Sequence, residues 1–106
     1  MDVFELKNMI GGWFCGAFKP TAFYTYRFEV AYVKHFKGQK WPRHFHKKSD
    51  EINLLVKGRM KICGRKLKAG DIFVIRRLEV ADPVFLTDCE VVVIKTSSVK
   101  GDKYVI

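Results

Sequence analysis

The sequence predicts an all-β domain, a sandwich or barrel of short strands. Three observations carry that prediction. Apolar and β-branched runs of four to eight residues alternate with turn signals every eight to twelve residues. Nine phenylalanines and frequent valine and isoleucine favour strands over helices. No segment shows a sustained helical period, so helix is confined to the N-terminus.

Taken in order, Phe4 to Ile10 can form a short helical turn that ends at Gly11-Gly12. Trp13, Phe14 and Phe18 then form an aromatic cluster, expected as an edge strand or lid on the main body. Tyr24 to Phe36 is long and β-rich, and Lys37-Gly38-Gln39 turns it. Trp41 to His46 follows as a strand, and Lys47-Lys48-Ser49-Asp50 as a polar turn. Glu51 to Val56 is expected to pair with Arg59 to Cys63 through a tight turn at Lys57-Gly58. Cys63-Gly64 turns into Arg65-Lys66-Leu67, and Ala69-Gly70-Asp71 into Ile72 to Ile75. Val80 to Leu86 and Cys89 to Lys95 complete the strands, and Thr96 to Ile106 reads as a mostly polar tail.

At 106 residues the chain is one domain, long enough to bury a core without disulfides. Cys15, Cys63 and Cys89 are odd in number and widely spaced, which argues against a disulfide framework or a zinc ribbon. They read as free thiols of a reducing, cytoplasmic compartment. Asp2 and Glu5 precede any apolar run, so no secretory signal is expected, and no apolar stretch is long enough to cross a bilayer. The formal charge of +9 raises the question of polyanion binding. The basic residues, however, are dispersed over turns and strand edges (Lys57, Arg59, Lys61, Arg65, Lys66, Lys68), and no nucleic-acid-binding motif appears. Nucleic acid is therefore not the expected partner. No GxSxG elbow, GxGxxG run or phosphate-binding loop is present.

The chemistry is concentrated between Gly38 and Gly58. His44 and His46 are two residues apart, so an extended strand points both to one face. Glu51 follows after the polar turn. Two imidazoles and a carboxylate on one side of a hairpin are three legs of a first-row metal site. Phe45, between the histidines, must face away from them.

Gly38, His44, His46, Glu51 and Gly58 reproduce the pattern G-x5-H-x-H-x4-E-x6-G over 21 residues, which resembles the first signature motif of the cupin superfamily. The resemblance covers roughly residues 26 to 95. It implies a double-stranded β-helix (jelly-roll) barrel. The whole chain, 1–106, would then be a single cupin domain, with an N-terminal edge segment 1–22, a barrel 23–95 and a tail 96–106. It also implies a divalent metal ion (iron, zinc, manganese or nickel) held by His44, His46 and Glu51.

The second cupin motif, G-x5-P-x-G-x2-H, is matched only at its start, Gly70 to Ile75. Arg76 replaces the proline, Leu78 the glycine and Ala81 the last histidine ligand. Three readings of Ala81 stay open. The metal is held by three ligands with water at the open positions; a neighbour such as Asp82 or His35 substitutes; or the site is metal-poor and the three side chains bind a ligand directly.

Arg43, Arg76 and Arg77 are expected near the barrel mouth, where they would anchor an anionic ligand. If Glu51 faces inward, so do Asn53 and Leu55, and the apolar Ile52, Leu54 and Val56 face outward. Such a face needs cover from the N-terminal segment or from a second subunit, and a homodimer is expected. The function implied is a metal-binding cupin that binds or transforms a small organic molecule. The alternatives are a non-enzymatic binding module for an anionic metabolite or sugar, or a metal-independent sugar isomerase or epimerase.

Overall fold

The computed structural model describes residues 1–106. A single 3-10 turn, Leu6–Asn8, precedes ten strands: β1 (Trp13–Cys15), β2 (Glu29–His35), β3 (His44–His46), β4 (Glu51–Lys57), β5 (Arg59–Ile62), β6 (Arg65–Lys68), β7 (Ile72–Ile75), β8 (Val84–Phe85), β9 (Cys89–Lys95) and β10 (Lys103–Val105). They form a five-stranded sheet in the order β1-β2-β9-β4-β7, a three-stranded sheet β6-β5-β8 and a two-stranded sheet β10-β3. All the strand pairs are antiparallel. Bridges Lys40↔Val84 and His44↔Ala81 tie the segments flanking and containing β3 to the chain around β8. The expected all-β architecture is what the chain adopts.

Residue alternation builds the core. On β9, Cys89, Val91 and Val93 are buried, while Glu90, Val92 and Ile94 between them are only partly so. On β4 the same period buries Asn53 and Leu55, and on β5 Met60 and Ile62. The buried apolar cluster joins Ala31, Leu55, Ile75, Val91 and Val93 of the large sheet to Met60, Ile62 and Phe85 of the small one. The two sheets are thus faces of one core.

Three local expectations differ from the structure. Lys57-Gly58 is a corner, not a hairpin: β4 pairs with β7 and β9, while β5 pairs with β6 and β8. Gly58 has φ +95°, and a Cβ there would strike the Asp88 carbonyl oxygen and the Cys89 thiol. Only glycine lets the chain pass from one sheet to the other at that point. β3 does not pair with β4 either. Its partner is β10, in the register His44↔Val105, Phe45↔Tyr104 and His46↔Lys103. The polar tail therefore contains a strand, and Phe45 and Tyr104 stack on its outer face with ring centroids 5.4 Å apart.

Candidate metal and ligand site

His44, His46 and Glu51 line one interior cavity of about 170 Å³, together with Asn53, Lys95 and Lys103. Each reaches it by strand alternation. His44 and His46 point inward from β3 while Phe45 points out. Glu51 shares its face of β4 with the buried Asn53 and Leu55. Lys95 shares its face of β9 with Val91 and Val93 and lies opposite Glu51 in the register. Lys103 lies opposite His46, and directly opposite residues on paired strands project to the same face.

The histidine tautomers follow from main-chain contacts. His46 Nδ1 is 3.0 Å from the Asp102 carbonyl oxygen, and His44 Nδ1 is 2.8 Å from that of Pro42. A carbonyl oxygen only accepts, so Nδ1 carries the proton in both rings. Nε2 is left with its lone pair free, the form in which histidine ligates a metal.

Burial pushes the His46 pKa below its ordinary value, and the Lys95 ammonium adds to this against the opposing pull of Glu51 and the Asp102 carbonyl. His46 is thus neutral, and its Nε2 stands 3.6 Å from Glu51 Oε2. That is too long for a hydrogen bond. With His46 neutral it is not an ion pair but two lone-pair-bearing atoms facing each other. Two ligands of one ion, each about 2.1 Å from it, stand about 3.0–3.4 Å apart. The donor chemistry and this spacing fit a cation between the two. His44 is further off, with ring centroids 5.4 Å apart, and no three donors stand close enough to hold an ion as placed.

Ala81 occupies the second-motif position. It is buried, lines the cavity, and exchanges two main-chain hydrogen bonds with His44, of 3.1 and 2.8 Å. The position missing its histidine therefore lies beside the other donors. Asp82 is turned elsewhere: its carboxylate accepts the Cys63 N–H at 2.9 Å. His35 also lines the cavity, but the register places it six residues from Glu29, itself level with Lys95 and Glu51. At about 3.3 Å per residue its main chain lies about 20 Å away along the strand. There it stacks on Phe85 with centroids 4.0 Å apart. Burial lowers its pKa, and its Nδ1 has no partner.

Arg43, Arg76 and Arg77 are exposed, and none of them lines the interior cavity. The Arg77 amide donates to Asp50 Oδ1 at 2.8 Å, and its Nε is 3.5 Å from the same oxygen. The Arg76 amide donates to Glu79 at 3.2 Å. The cations that line the cavity are Lys95 and the exposed Lys103. Lys95 lies 4.0 Å from Glu29 and 5.0 Å from the Trp13 ring centroid, while Lys103 stands 4.3 Å over Trp41. Burial, then the Lys95 charge, lower the Lys103 pKa against the pull of Glu51. The Cys89–Lys95 alternation could have flagged Lys95. No sequence signal marked Lys103.

Asp102 is the other residue that sequence reasoning missed. Its buried carboxylate accepts the Lys47 and Lys48 amides at 3.1 Å, fixing the loop between β3 and β4.

No protein-family model matches the sequence, and no curated protein matches it. Solved structures do. An uncharacterised conserved protein with a double-stranded β-helix domain from Klebsiella pneumoniae superposes with TM-score 0.68 at 18% identity, over 76% of this chain and 71% of that one. A cupin-2 domain protein from Shewanella frigidimarina gives 0.55 at 21%, over 64% and 69%. An oxalate oxidase in complex with the substrate analogue glycolate gives 0.63 at 26% identity, over 76% of this chain. This chain spans 46% of that oxidase's length.

Proposed function

We propose for this chain, a member of the cupin superfamily by fold, that it holds a divalent metal ion on His44, His46 and Glu51 and there binds or transforms a small organic molecule. The observation that carries this reading is the His46–Glu51 pair: a neutral imidazole and a carboxylate 3.6 Å apart, both side chains largely shielded from solvent. A cation between them turns that contact from unfavourable to binding. His44, with its tautomer already set, would be the third ligand. Iron, zinc, manganese and nickel all suit two imidazoles and a carboxylate. When bound, the ion supplies Lewis acidity toward a substrate oxygen. The chain's own residues hold the donors in their ligating form and shield them from water. The oxalate oxidase supports a small organic molecule as occupant.

Elemental analysis of untagged protein tests the reading. About one equivalent of metal, lost in both His44→Ala and Glu51→Ala variants that keep the β-sheet circular dichroism, is expected. No metal after reconstitution would establish the metal-poor binding module instead.

We further propose a homodimer formed through the outer face of β4 and β7. Ile52, Leu54, Val56, Ile72 and Val74 are 37 to 70% exposed there, with Ile52 opposite Val74 and Leu54 opposite Ile72. The aromatic N-terminal strand lies beside β2, three places from β4 in the sheet, and does not cover them. Light scattering is expected to give twice the chain mass, reverting to monomer in Leu54→Glu with Ile72→Glu. A monomeric parent would refute it.

A further inference from the structure

The interior cavity is two-sided. Its charged and polar groups are Glu51, Lys95, Lys103, His44, His46, His35 and Asn53. The rest of its wall is mainly apolar, including Val33, Met60, Ile62, Phe73 and Phe85. A second, outer cavity of about 390 Å³ shares Trp13, Lys95 and Lys103 with it. The two lysines thus stand at the neck joining outer and inner cavities.

Their charges are unequally matched. Lys95 has Glu29 at 4.0 Å and lies opposite Glu51 in the register. Lys103 has no carboxylate within 4.0 Å, and its ammonium rests on the Trp41 ring. The other charges at the outer cavity are Lys19, Lys100, Asp102 and the Glu29 that faces Lys95. Asp102 is already committed to two main-chain amides. Lys19, Lys95, Lys100 and Lys103 against Glu29, Glu51 and Asp102 leave one positive charge in excess around the neck, and the excess grows if a metal ion takes up the Glu51 charge. An anion is the complement of such a neck.

Size and the opposite wall narrow the class. A cavity of about 150 Å³ accommodates benzene, six heavy atoms. A volume of 170 Å³ therefore takes a molecule of about six to eight. Beyond the neck no second lysine or arginine lines the inner cavity. A second carboxylate pushed toward Met60 and Phe85 would exchange its hydration for at most the uncharged Asn53 and the His35 ring, whose pKa burial lowers.

We infer that the ligand is a small monocarboxylate with a short apolar body, its carboxylate held at the neck by Lys103 and Lys95 and its body against the apolar wall. This rests on the barrel interior being the functional site, but it does not require the metal.

The test is calorimetric titration of the full chain with butyrate, succinate and butylamine, before and after chelation. The variants are Lys103→Met, Lys95→Met and Lys103→Arg, each checked for an unchanged melting temperature without ligand. Butyrate is expected to bind, succinate at least tenfold more weakly, and butylamine not at all. A charge-assisted hydrogen bond of this kind commands roughly tenfold or more in affinity. Lys103→Met should therefore weaken butyrate about tenfold, Lys95→Met should weaken it too, and Lys103→Arg should retain most of the binding. Succinate binding as tightly as butyrate would overturn the apolar-body assignment. Butyrate binding unchanged in both Met variants, or absent from metal-loaded and chelated protein alike, would overturn the proposal. Either result leaves the metal reading to stand or fall on elemental analysis.

Discussion

At Ala81 one methyl group decides how open the proposed metal site is. Its Cβ projects into the cavity beside His44, and the cavity has room for a larger side chain. Ala81→His should therefore add a fourth donor and raise metal affinity about tenfold or more, read by competition with a chelator. Unchanged affinity would show that the new ring cannot reach the ion.

Leu78 stands at another altered motif position and adopts φ +70°. A side chain in that region costs about 1 kcal/mol. Leu78 is largely exposed and packs little. Leu78→Gly should thus be neutral to stabilising by up to about 1 kcal/mol in urea unfolding, whereas a clear loss would mean its contacts outweigh the strain.

His35 and His46 make the fold sensitive to acid. Burial first, in both, holds the imidazole below its ordinary value of 6.5. The unfolded chain then binds more protons than the folded one as pH drops past 6.5, so their stabilising effect is complete above that value and is lost as pH falls through the folded values. Melting temperature should decline between about pH 7.5 and 5, and less so in His35→Phe, which keeps an aromatic ring against Phe85.

Among the elements, the short strand β10 has a role out of proportion to its three residues. It supplies Lys103, and the residue before it orients His46 and secures the β3–β4 loop. Asp102→Ala should destabilise the fold by about 2–3 kcal/mol, because it strips charged acceptors from two amides. The His46 tautomer should survive, as seen in imidazole nitrogen chemical shifts.

How much of this could be read from the chain divides along the same line. The convergence of His44, His46 and Glu51 on one cavity and the strands β7 and β9 were legible because alternation and spacing are local. The partner of β3 was not. Thr96 to Ile106 is polar and its apolar run is three residues long, so nothing local distinguishes a strand from a loose tail. Likewise the Lys57-Gly58 corner has the composition of a hairpin turn. Its close approach to Asp88 and Cys89, thirty residues on, is what makes it a corner.

On the scale of the whole molecule, strand register redistributes charge that looks dispersed along the chain. Arg59 lies opposite Lys68, and Lys61 opposite Lys66. All four are exposed, and only Lys68 has a carboxylate, Asp71, at 3.3 Å. Two like-charged pairs on adjacent strands repel each other. The +9 chain thus carries a concentrated basic face on its small sheet, away from the cavity. Weak retention on a heparin column, falling steeply with salt and abolished in Lys61→Glu with Lys66→Glu, is the expected behaviour. Retention that withstands salt would indicate a specific polyanion site.

Both inward histidines are oriented by carbonyls of the main chain, from Pro42 and Asp102. A side-chain partner can be erased by one codon change, but a peptide carbonyl is present whatever residue carries it. The ligating form of the imidazoles is thereby sheltered from substitution at the positions that set it. Ala81, Lys95 and Lys103 have no such shelter. Substitution at those three positions would alter the cavity's charge and shape while leaving the orientation of the two imidazoles intact.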